Sequence, residues 1–478
     1  MVDLRVHCWL AGILMAAVPL PGAAAPADRW VLAADPSVGP LPDGPAIDPA
    51  QRYALADLID LAERLNPETR IAWDQAREAL SAEGLAKSAF LPQLTAAVLG
   101  GYANGSSYTA AYGIGGTLHA DTSGAIGVVN LQWLLFDFGE RAAALRASDA
   151  RRQFGDLHLV EAHQRLIHAV SLAYYAHMAA RARLAGCAQA VVDAQAIEAS
   201  ANARYHRGIG TVIEVDQAHQ ASAEAALMQV EANGAASDSY MTLLAAMGLS
   251  PLNRITIADL PDTVLAPHLL GAVDDVVNAA LARRPDVQQA YAAHQASVAD
   301  AQAASAAQRP KLFVSATGSY AGGDLALNAI PPVGGESPTV NLTGHHWGGT
   351  ILGGVSVPLY DGGARRSVVE GARDRADAAQ AAFERTKLEA ARQIATAHNQ
   401  LATALEAGTA AQSLLRAAQT TFDAATAAYR AGVGATSEVQ LAQRQLISAR
   451  NLATDARYRA LSAAATLALA VGNLAGGD

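Results

Sequence analysis

Histidines are the side chains of this sequence best suited to binding a metal ion. Six of the thirteen form a group of four and an adjacent pair in a glycine-rich segment: His158, His163, His168 and His177, then His345 and His346. Spacings of five and nine do not stack the four on one helix face, because residues that share a face are three or four apart. We interpret the four as surface or packing residues and the pair as part of a loop near Trp347. The sequence therefore predicts no metal site, although metal binding by the pair stays open.

The other chemistry-bearing residue types form no catalytic arrangement. No Ser-His-Asp order, paired-acid constellation or Walker motif stands out in the sequence. Gly208-Ile209-Gly210 and Gly432-Val433-Gly434 are hairpin turns rather than nucleotide-binding loops, because neither follows a strand. The net charge of −10 argues against a nucleic-acid binder, because the sequence has no basic stripe that could follow a phosphate backbone. We therefore predict that the protein is not an enzyme and binds no cofactor and no nucleic acid.

The glycine turns belong to an internal duplication of the chain. Two motifs recur at a constant separation of 224 residues: LFDFG at Leu135–Gly139 with LYDGG at Leu359–Gly363, and YHRGIG at Tyr205–Gly210 with YRAGVG at Tyr429–Gly434. Further upstream, Tyr102 matches Tyr320 at a separation of 218 residues. The six-residue difference falls between Tyr102 and Leu135, where we expect a surface loop.

The placement of proline indicates where long helices run, because proline is costly inside a helix. No proline occurs between Pro92 and Pro251, and none follows Pro358. In the first tract we predict a helix over 139–205, about 100 Å long, then a tight turn and a return helix over 213–247. The second copy repeats this with a helix over 363–429 and a return from residue 437. At the start of each copy we predict one helix, over 54–89 and over 273–307.

Alternation of apolar residues predicts two short strands in each copy, separated by a loop rich in Gly, Ser and Thr. One strand has apolar side chains at every second position: Val129, Leu131, Trp133 and Leu135. Tyr102, Trp133 and Tyr320 flank the strands, as interfacial aromatics flank a transmembrane β-barrel. Four strands cannot close a barrel, so other copies of the chain would have to complete it. Strands of a soluble sandwich remain the alternative.

The N-terminus has the features of a secretory signal. Arg5 precedes an apolar stretch that is followed by small residues. We predict a signal peptide at 1–27, an extended segment at 28–52, a first repeat at 53–250, a linker at 251–272 and a second repeat at 273–473. Beyond the signal, no apolar run approaches the roughly 18 residues of a membrane-spanning helix. An exported chain of this kind would cross a membrane with strands.

From about residue 50 onward, the duplication, the strand-to-helix junctions and the glycine turns together resemble the TolC-like outer membrane efflux protein family. The junction residues are Asp137 and Gly139 in the first copy and Asp361 and Gly363 in the second. The resemblance implies a mainly α fold with a small transmembrane β part. It implies a homotrimer whose twelve-stranded β-barrel continues into a periplasmic α-helical barrel. It also implies contact with the outer-membrane lipid of a Gram-negative bacterium, a periplasmic adaptor protein and an inner-membrane pump.

The resemblance places the hairpin turns at the periplasmic tip, which is closed at rest. The turn glycines are Gly208, Gly210, Gly432 and Gly434. It suggests that Glu438 lines the narrowest ring, where three carboxylates would attract cations. It also suggests that Tyr429 reaches Glu214 on the neighbouring hairpin as a latch. Alternatively, both glutamates are solvated first-turn residues that the helix dipole favours.

Two positions depart from the family at the tip. Leu441 stands where a second acid sometimes follows the first, and Gly434 stands where some members have a basic residue. The carboxylate ring is then single and the latch weaker.

By resemblance the protein is a passive exit duct for cargo that an inner-membrane pump drives. Such ducts serve type I secretion of a protein such as a toxin, or efflux of small molecules. The Gly-x-Gly-Thr turn at 208–211 and the missing lipid anchor favour secretion. A periplasmic coiled-coil adaptor is a further alternative, but it would have one hairpin and flanking β-domains, whereas this sequence predicts two hairpins.

Overall fold

The computed structural model describes residues 47–48, 51–111, 114–260, 271–323 and 346–474. All of them belong to one compact unit, Pro45–Asp478. The predicted signal peptide, most of the predicted extended segment, much of the predicted linker and His345 lie outside the described residues.

The described elements follow the predicted duplication. The first half contains β1 (Arg52–Tyr53), α1 (Leu55–Leu65), α2 (Pro67–Ser88), β2 (Gln93–Ala111), β3 (Ile114–Phe136), α3 (Glu140–His206), α4 (Val212–Ala246) and β4 (Thr256–Ile257). The second half contains α5 (Val273–Leu281), α6 (Pro285–Ala306), β5 (Lys311–Gly323), β6 (His346–Ser356), α7 (Ala364–Arg430) and α8 (Thr436–Ala470). The long helices α3 and α7 each have 67 residues, and the return helices α4 and α8 each have 35. The predicted helical hairpins are therefore confirmed.

The single upstream helix predicted in each copy is wrong, because each is divided in two. Asn66 ends α1 and caps α2, and its side chain accepts a hydrogen bond from the Glu68 backbone N–H at 2.8 Å. Pro67 occupies the first position of α2, where its missing N–H costs nothing. In the second copy Pro285 begins α6 in the same way, and three residues separate it from the end of α5.

The larger sheet has the antiparallel strand order β2-β3-β5-β6. The prediction of short strands separated by a loop is wrong for the first copy. Strands β2 and β3 have 19 and 23 residues, and they remain paired from Gln93↔Gln132 to Ala111↔Ile114. A ladder of backbone hydrogen bonds needs no particular side chains, so a segment rich in Gly, Ser and Thr can continue it. The corresponding part of the second copy, 324–345, lies outside the described residues.

The sheet has one apolar face that is exposed in the isolated chain. Residues opposite one another in a ladder point to the same face, and the large apolar side chains of the four strands match in this way. They are Leu94, Val98 and Tyr102 on β2, Val129 and Trp133 on β3, Leu312 and Tyr320 on β5, and Trp347, Ile351 and Val355 on β6. The opposite face has polar residues, among them Asn130 and Thr317, whose side chains are 3.2 Å apart. The predicted alternation is confirmed.

The main apolar core surrounds the middle of α3. Val170, Tyr174 and Met178, which the sequence places on one helix face, are all buried there. They pack with Leu58 of α1 and with the parallel pair β1–β4, in which Tyr53 is opposite Ile257. Among the described helices, none combines the length and apolar character required to span a membrane.

Candidate functional site: hairpin tips and strand-to-helix junctions

Both hairpin tips turn at a glycine with left-handed backbone. Gly208 has φ +75° and Gly432 has φ +82°, a region that side chains with a Cβ rarely adopt. The N–H of Gly208 donates to the Tyr205 carbonyl at 2.9 Å, and that of Gly432 donates to the Tyr429 carbonyl at 3.0 Å. These bonds satisfy carbonyls that the end of a helix leaves without partners.

The second glycine of each turn is required by close packing. A Cβ on Gly210 would lie 3.0 Å from the Tyr205 backbone nitrogen, and one on Gly434 would lie 3.0 Å from that of Tyr429. In the repeated Gly-x-Gly motif, the first glycine thus allows the left-handed backbone angle, and the second avoids a steric clash with the preceding helix.

The two tip glutamates cap their own return helices, but not equally well. Glu214 accepts from the Thr211 backbone N–H at 3.1 Å, while the Thr211 hydroxyl accepts from the Glu214 N–H at 3.2 Å. This is a complete capping box. Glu438 accepts from the Ala435 N–H at 3.4 Å, but Ala435 has no hydroxyl to return the bond. The Glu438 side chain is therefore the less firmly held of the two.

Tyr429 is only 1% exposed and lies between the two hairpins. Its ring is covered by the Arg204 guanidinium at 4.9 Å from the centroid, and Arg204 Nη1 donates to the Tyr429 carbonyl at 3.2 Å. Within the described part of the chain the Tyr429 hydroxyl has no hydrogen-bond partner. The structure therefore places Tyr429 against Arg204 and does not join its hydroxyl to Glu214 within one chain.

The second tip holds further buried polar atoms that lack partners in the described residues. They are the hydroxyls of Thr426 and Thr436 and the side-chain nitrogen of Gln440. A cavity of about 80 Å³ adjoins Thr426 and Tyr429, which is room for an ordered water molecule. Buried polar groups are costly unless they are hydrogen-bonded, and a water molecule in this cavity would have Thr426 and Tyr429 as neighbours.

At the first strand-to-helix junction, Asp137 binds the start of α3. Its carboxylate accepts from the Gly139 N–H at 3.2 Å and from the Arg141 N–H at 2.9 Å, and Arg141 Nε approaches to 2.8 Å. Burial favours the neutral acid, but these hydrogen bonds outweigh it and lower the pKa of Asp137.

Arg141 connects three elements at this junction. Its Nη1 donates to the Leu134 carbonyl of β3 at 2.7 Å and to the Ala89 carbonyl just after α2 at 3.0 Å. Its guanidinium also covers the Phe90 ring at 4.9 Å. Arg141 is not among the predicted site residues, although an arginine four residues after the junction aspartate recurs as Arg365 in the second copy.

The second junction has the same geometry but is more exposed to solvent. Asp361 accepts from the N–H groups of Gly363 at 3.2 Å and Arg365 at 3.0 Å. The Arg365 side chain is 40% exposed, against 11% for Arg141. Gly139 and Gly363 begin the helices with φ +95° and +93°.

The predicted interfacial aromatics all lie on the exposed apolar face of the sheet. Tyr102 is 70% exposed, and Tyr320 packs against Trp347 with ring centroids 5.0 Å apart. Trp133 lies near the junction, where its indole N–H donates to the Phe90 carbonyl at 3.0 Å.

The four histidines of α3 have partners that suit packing. His168 Nε2 is 3.1 Å from the Thr466 hydroxyl, and His177 Nδ1 is 3.0 Å from that of Ser239. His158 stacks on Phe154, and His163 is 3.6 Å from Glu63. Within the described residues, no three His, Cys, Asp or Glu side chains are grouped as a metal site would require.

Comparison with known proteins identifies relatives along most of the chain. The family model described as "Outer membrane efflux protein" matches residues 58–249 and 276–473. Protein CyaE of Bordetella pertussis is 28% identical over 447 residues, which are 92% of this chain and 87% of that protein. The outer membrane protein VceC of Vibrio cholerae superposes with a TM-score of 0.73 at 20% identity, over 87% of this chain and 96% of that one. The CmeC outer membrane channel of Campylobacter jejuni gives a TM-score of 0.73 at 18% identity, over 88% and 85%.

Proposed function

Because the chain belongs to the outer membrane efflux protein family, we propose that it is the exit duct of a type I secretion machine that exports a protein such as a toxin. Its location in the outer membrane and its role as the channel of a tripartite export system follow from the family. The cargo and the partner pump are the proposed parts.

The continuity of sheet and helices supports a duct. Three residues separate β3 from α3, and seven separate β6 from α7. A rigid wall therefore runs from the exposed apolar sheet face into helices of about 100 Å each. A structure of this length suits a conduit rather than an enclosed binding site.

The spacing of the aromatics supports insertion of the sheet in lipid. Tyr102 pairs with Ser123, which is ten residues before Trp133 on β3. Ten residues of strand rise about 34 Å. Strands inclined by roughly 40° would cover about 26 Å of membrane thickness, close to the roughly 25 Å of an outer-membrane apolar band. Tyr102 and Trp133 would then lie at opposite interfaces.

Secretion is favoured over small-molecule efflux by the first hairpin tip. The Gly-x-Gly-Thr turn at 208–211 resembles that of secretion-type members, and its Thr211 completes the capping box with Glu214. Efflux of small molecules is the second candidate, because both machines require the same kind of duct.

The two candidates can be separated by deleting the gene and restoring it. The proposal predicts that one or a few proteins disappear from the culture medium, accumulate in the cells and return on complementation. Sensitivity to dyes and antibiotics should stay at the parent level. An unchanged set of secreted proteins together with raised drug sensitivity would replace secretion by efflux.

The oligomer and its partners are also part of the proposal. Within the described residues the outer strands β2 and β6 each pair with one strand only, and unpaired strand edges are not tolerated in lipid. We therefore infer a homotrimer that closes the sheet, with a periplasmic adaptor and an inner-membrane pump at the other end. The hairpin tips, with Glu214 and Glu438 in their first turns, would form the end that meets them.

A further inference from the structure

A positively charged cavity lies beside the first strand-to-helix junction. It is an open cleft of about 440 Å³, bordered by the beginning of α3, the end of α6 and the first turns of α7. Three arginines line it: Arg146 from α3, Arg309 just after α6, and Arg373 from α7. None of the lining side chains is acidic.

The arginines are largely uncompensated. Arg146 donates to the Gln302 side chain at 2.8 Å, a neutral partner that also lines the cavity. In the part of the chain that the structure describes, neither Arg309 nor Arg373 forms a side-chain hydrogen bond or an ion pair. Guanidinium groups bind phosphate through paired hydrogen bonds, so three of them around one cavity favour a phosphate-bearing anion.

The duplication provides an internal comparison. At the positions related by the repeat separations of 224 and 218, the three arginines correspond to Glu370, Asp149 and Leu91. The same fold is therefore built in the other copy without a single cation at these positions. The fold therefore does not require arginines at these positions, and because all three are exposed, their guanidinium groups are accessible to a ligand.

The position of the cavity identifies the source of the anion. Phe138 and Gly139 line it, directly after the end of β3. Exposed aromatic rings surround this end of the sheet: Phe136 and Phe138 are 4.7 Å apart, and Trp133 is 41% exposed. Aromatic residues of this kind mark the headgroup level of a membrane. A cavity of this volume holds one lipid headgroup.

We propose that this cavity binds the headgroup of an anionic phospholipid at the periplasmic surface of the outer membrane. Arg309 and Arg373 would hold the phosphodiester, and Arg146, already oriented by Gln302, would complete the site. The bound lipid would join α3, α6 and α7 at the level where the sheet leaves the membrane.

Thermal unfolding of the detergent-extracted oligomer tests this, with dioctanoyl phosphatidylglycerol as the probe. The wild type should show a midpoint that rises with lipid concentration. The double variant Arg309→Gln/Arg373→Gln should bind at least roughly tenfold more weakly, since each charge-assisted hydrogen bond contributes about a factor of ten. Arg375→Gln, on the same helix but outside the cavity lining, should behave as the wild type.

Two further probes distinguish the sources of phosphate. Dioctanoyl phosphatidylcholine and inorganic phosphate, at equal concentration, should raise the midpoint much less than phosphatidylglycerol. An equal rise with inorganic phosphate would overturn the lipid assignment, and an equal affinity in the double variant would overturn the site. If the double variant does not assemble, the single variant Arg373→Gln, whose side chain lies at an exposed position, decides the question by the same titration.

Discussion

At the scale of single residues, two arginines organise the site although neither was among the predicted site residues. Arg141 connects β3, α3 and the end of α2 by hydrogen bonds to backbone carbonyls. Arg204 connects the two hairpins through the ring and carbonyl of Tyr429. The sequence could identify the glycines and aspartates, because backbone angles and helix caps are local. It could not identify contacts made between positions 225 residues apart.

Asp137→Asn should destabilise the protein more than Asp361→Asn. The first substitution leaves the nearly buried Arg141 without its carboxylate, which costs about 3 kcal/mol. The second affects a half-exposed pair, worth about 1 kcal/mol or less. Urea unfolding of both variants measures this difference. An equal loss of unfolding free energy in the two variants would show that the two junctions contribute equally to stability.

The same carboxylate makes stability depend on acid. Because the folded-state pKa of Asp137 lies below its ordinary value of 3.8, its contribution is complete above about that pH and is lost as the pH falls through the lowered pKa. The unfolding midpoint of the wild type should therefore fall more steeply below pH 4 than that of Asp137→Asn. Parallel curves would exclude this contribution.

At the tip, Arg204→Ala should loosen the contact between the hairpins and raise the conductance of the purified channel in planar bilayers. The substitution removes the guanidinium from the Tyr429 ring and the hydrogen bond to its carbonyl, together worth about 1–2 kcal/mol. Tyr429→Phe keeps the ring and the carbonyl, so it serves as the matched control and should conduct as the wild type. A large increase in Tyr429→Phe, shared by Glu214→Gln, would instead support a latch between Tyr429 and Glu214 in the assembled protein.

At the scale of elements, the sequence predicted the long helices well and the strands poorly. Proline-free tracts between repeated glycines leave few alternatives to helices, and α3 and α7 begin and end within one residue of the prediction. A proline can either begin a helix or interrupt one. The division of the upstream helices at Pro67 and Pro285 was therefore not predicted. The length of β2 and β3 depends on backbone pairing between the two strands, and the amino-acid composition says little about that pairing.

The packing of α3 on α4 should weaken in mild acid. Burial and the neighbouring Arg181 lower the pKa of His177, whose ring contacts Ser239 and Tyr240 of α4. The unfolded chain then binds the proton more readily, so stability is complete above about pH 6.5 and declines below it. His177→Asn should reduce this decline in the unfolding midpoint, whereas His206→Asn, at an exposed position near the tip, should not. Identical profiles for all three proteins would contradict the assignment.

The apolar face of the sheet should tolerate no charge at mid-height. Val98 is 81% exposed on this face, and an arginine there would cost about 2–4 kcal/mol in lipid. Val98→Arg should therefore reduce the amount of assembled protein in outer-membrane fractions. Thr95→Arg on the same strand points to the polar face and should assemble normally. Equal assembly of the two variants would show that this face does not meet lipid.

At the scale of the whole molecule, the described part of one chain provides a four-stranded sheet and four long helices, and the sheet leaves a broad apolar face exposed. The sequence could predict the need for further copies from the strand number alone. It could not predict the cavity with three arginines, because α3, α6 and α7 bring together positions that are far apart in the chain.

We propose that strands from several chains complete one sheet around an export duct. The native mass of the particle extracted from outer membranes in detergent tests this directly. Three chains in each particle, stable on dilution, are the expected result. A monomer, or a protein recovered without detergent, would contradict the shared sheet and with it the duct.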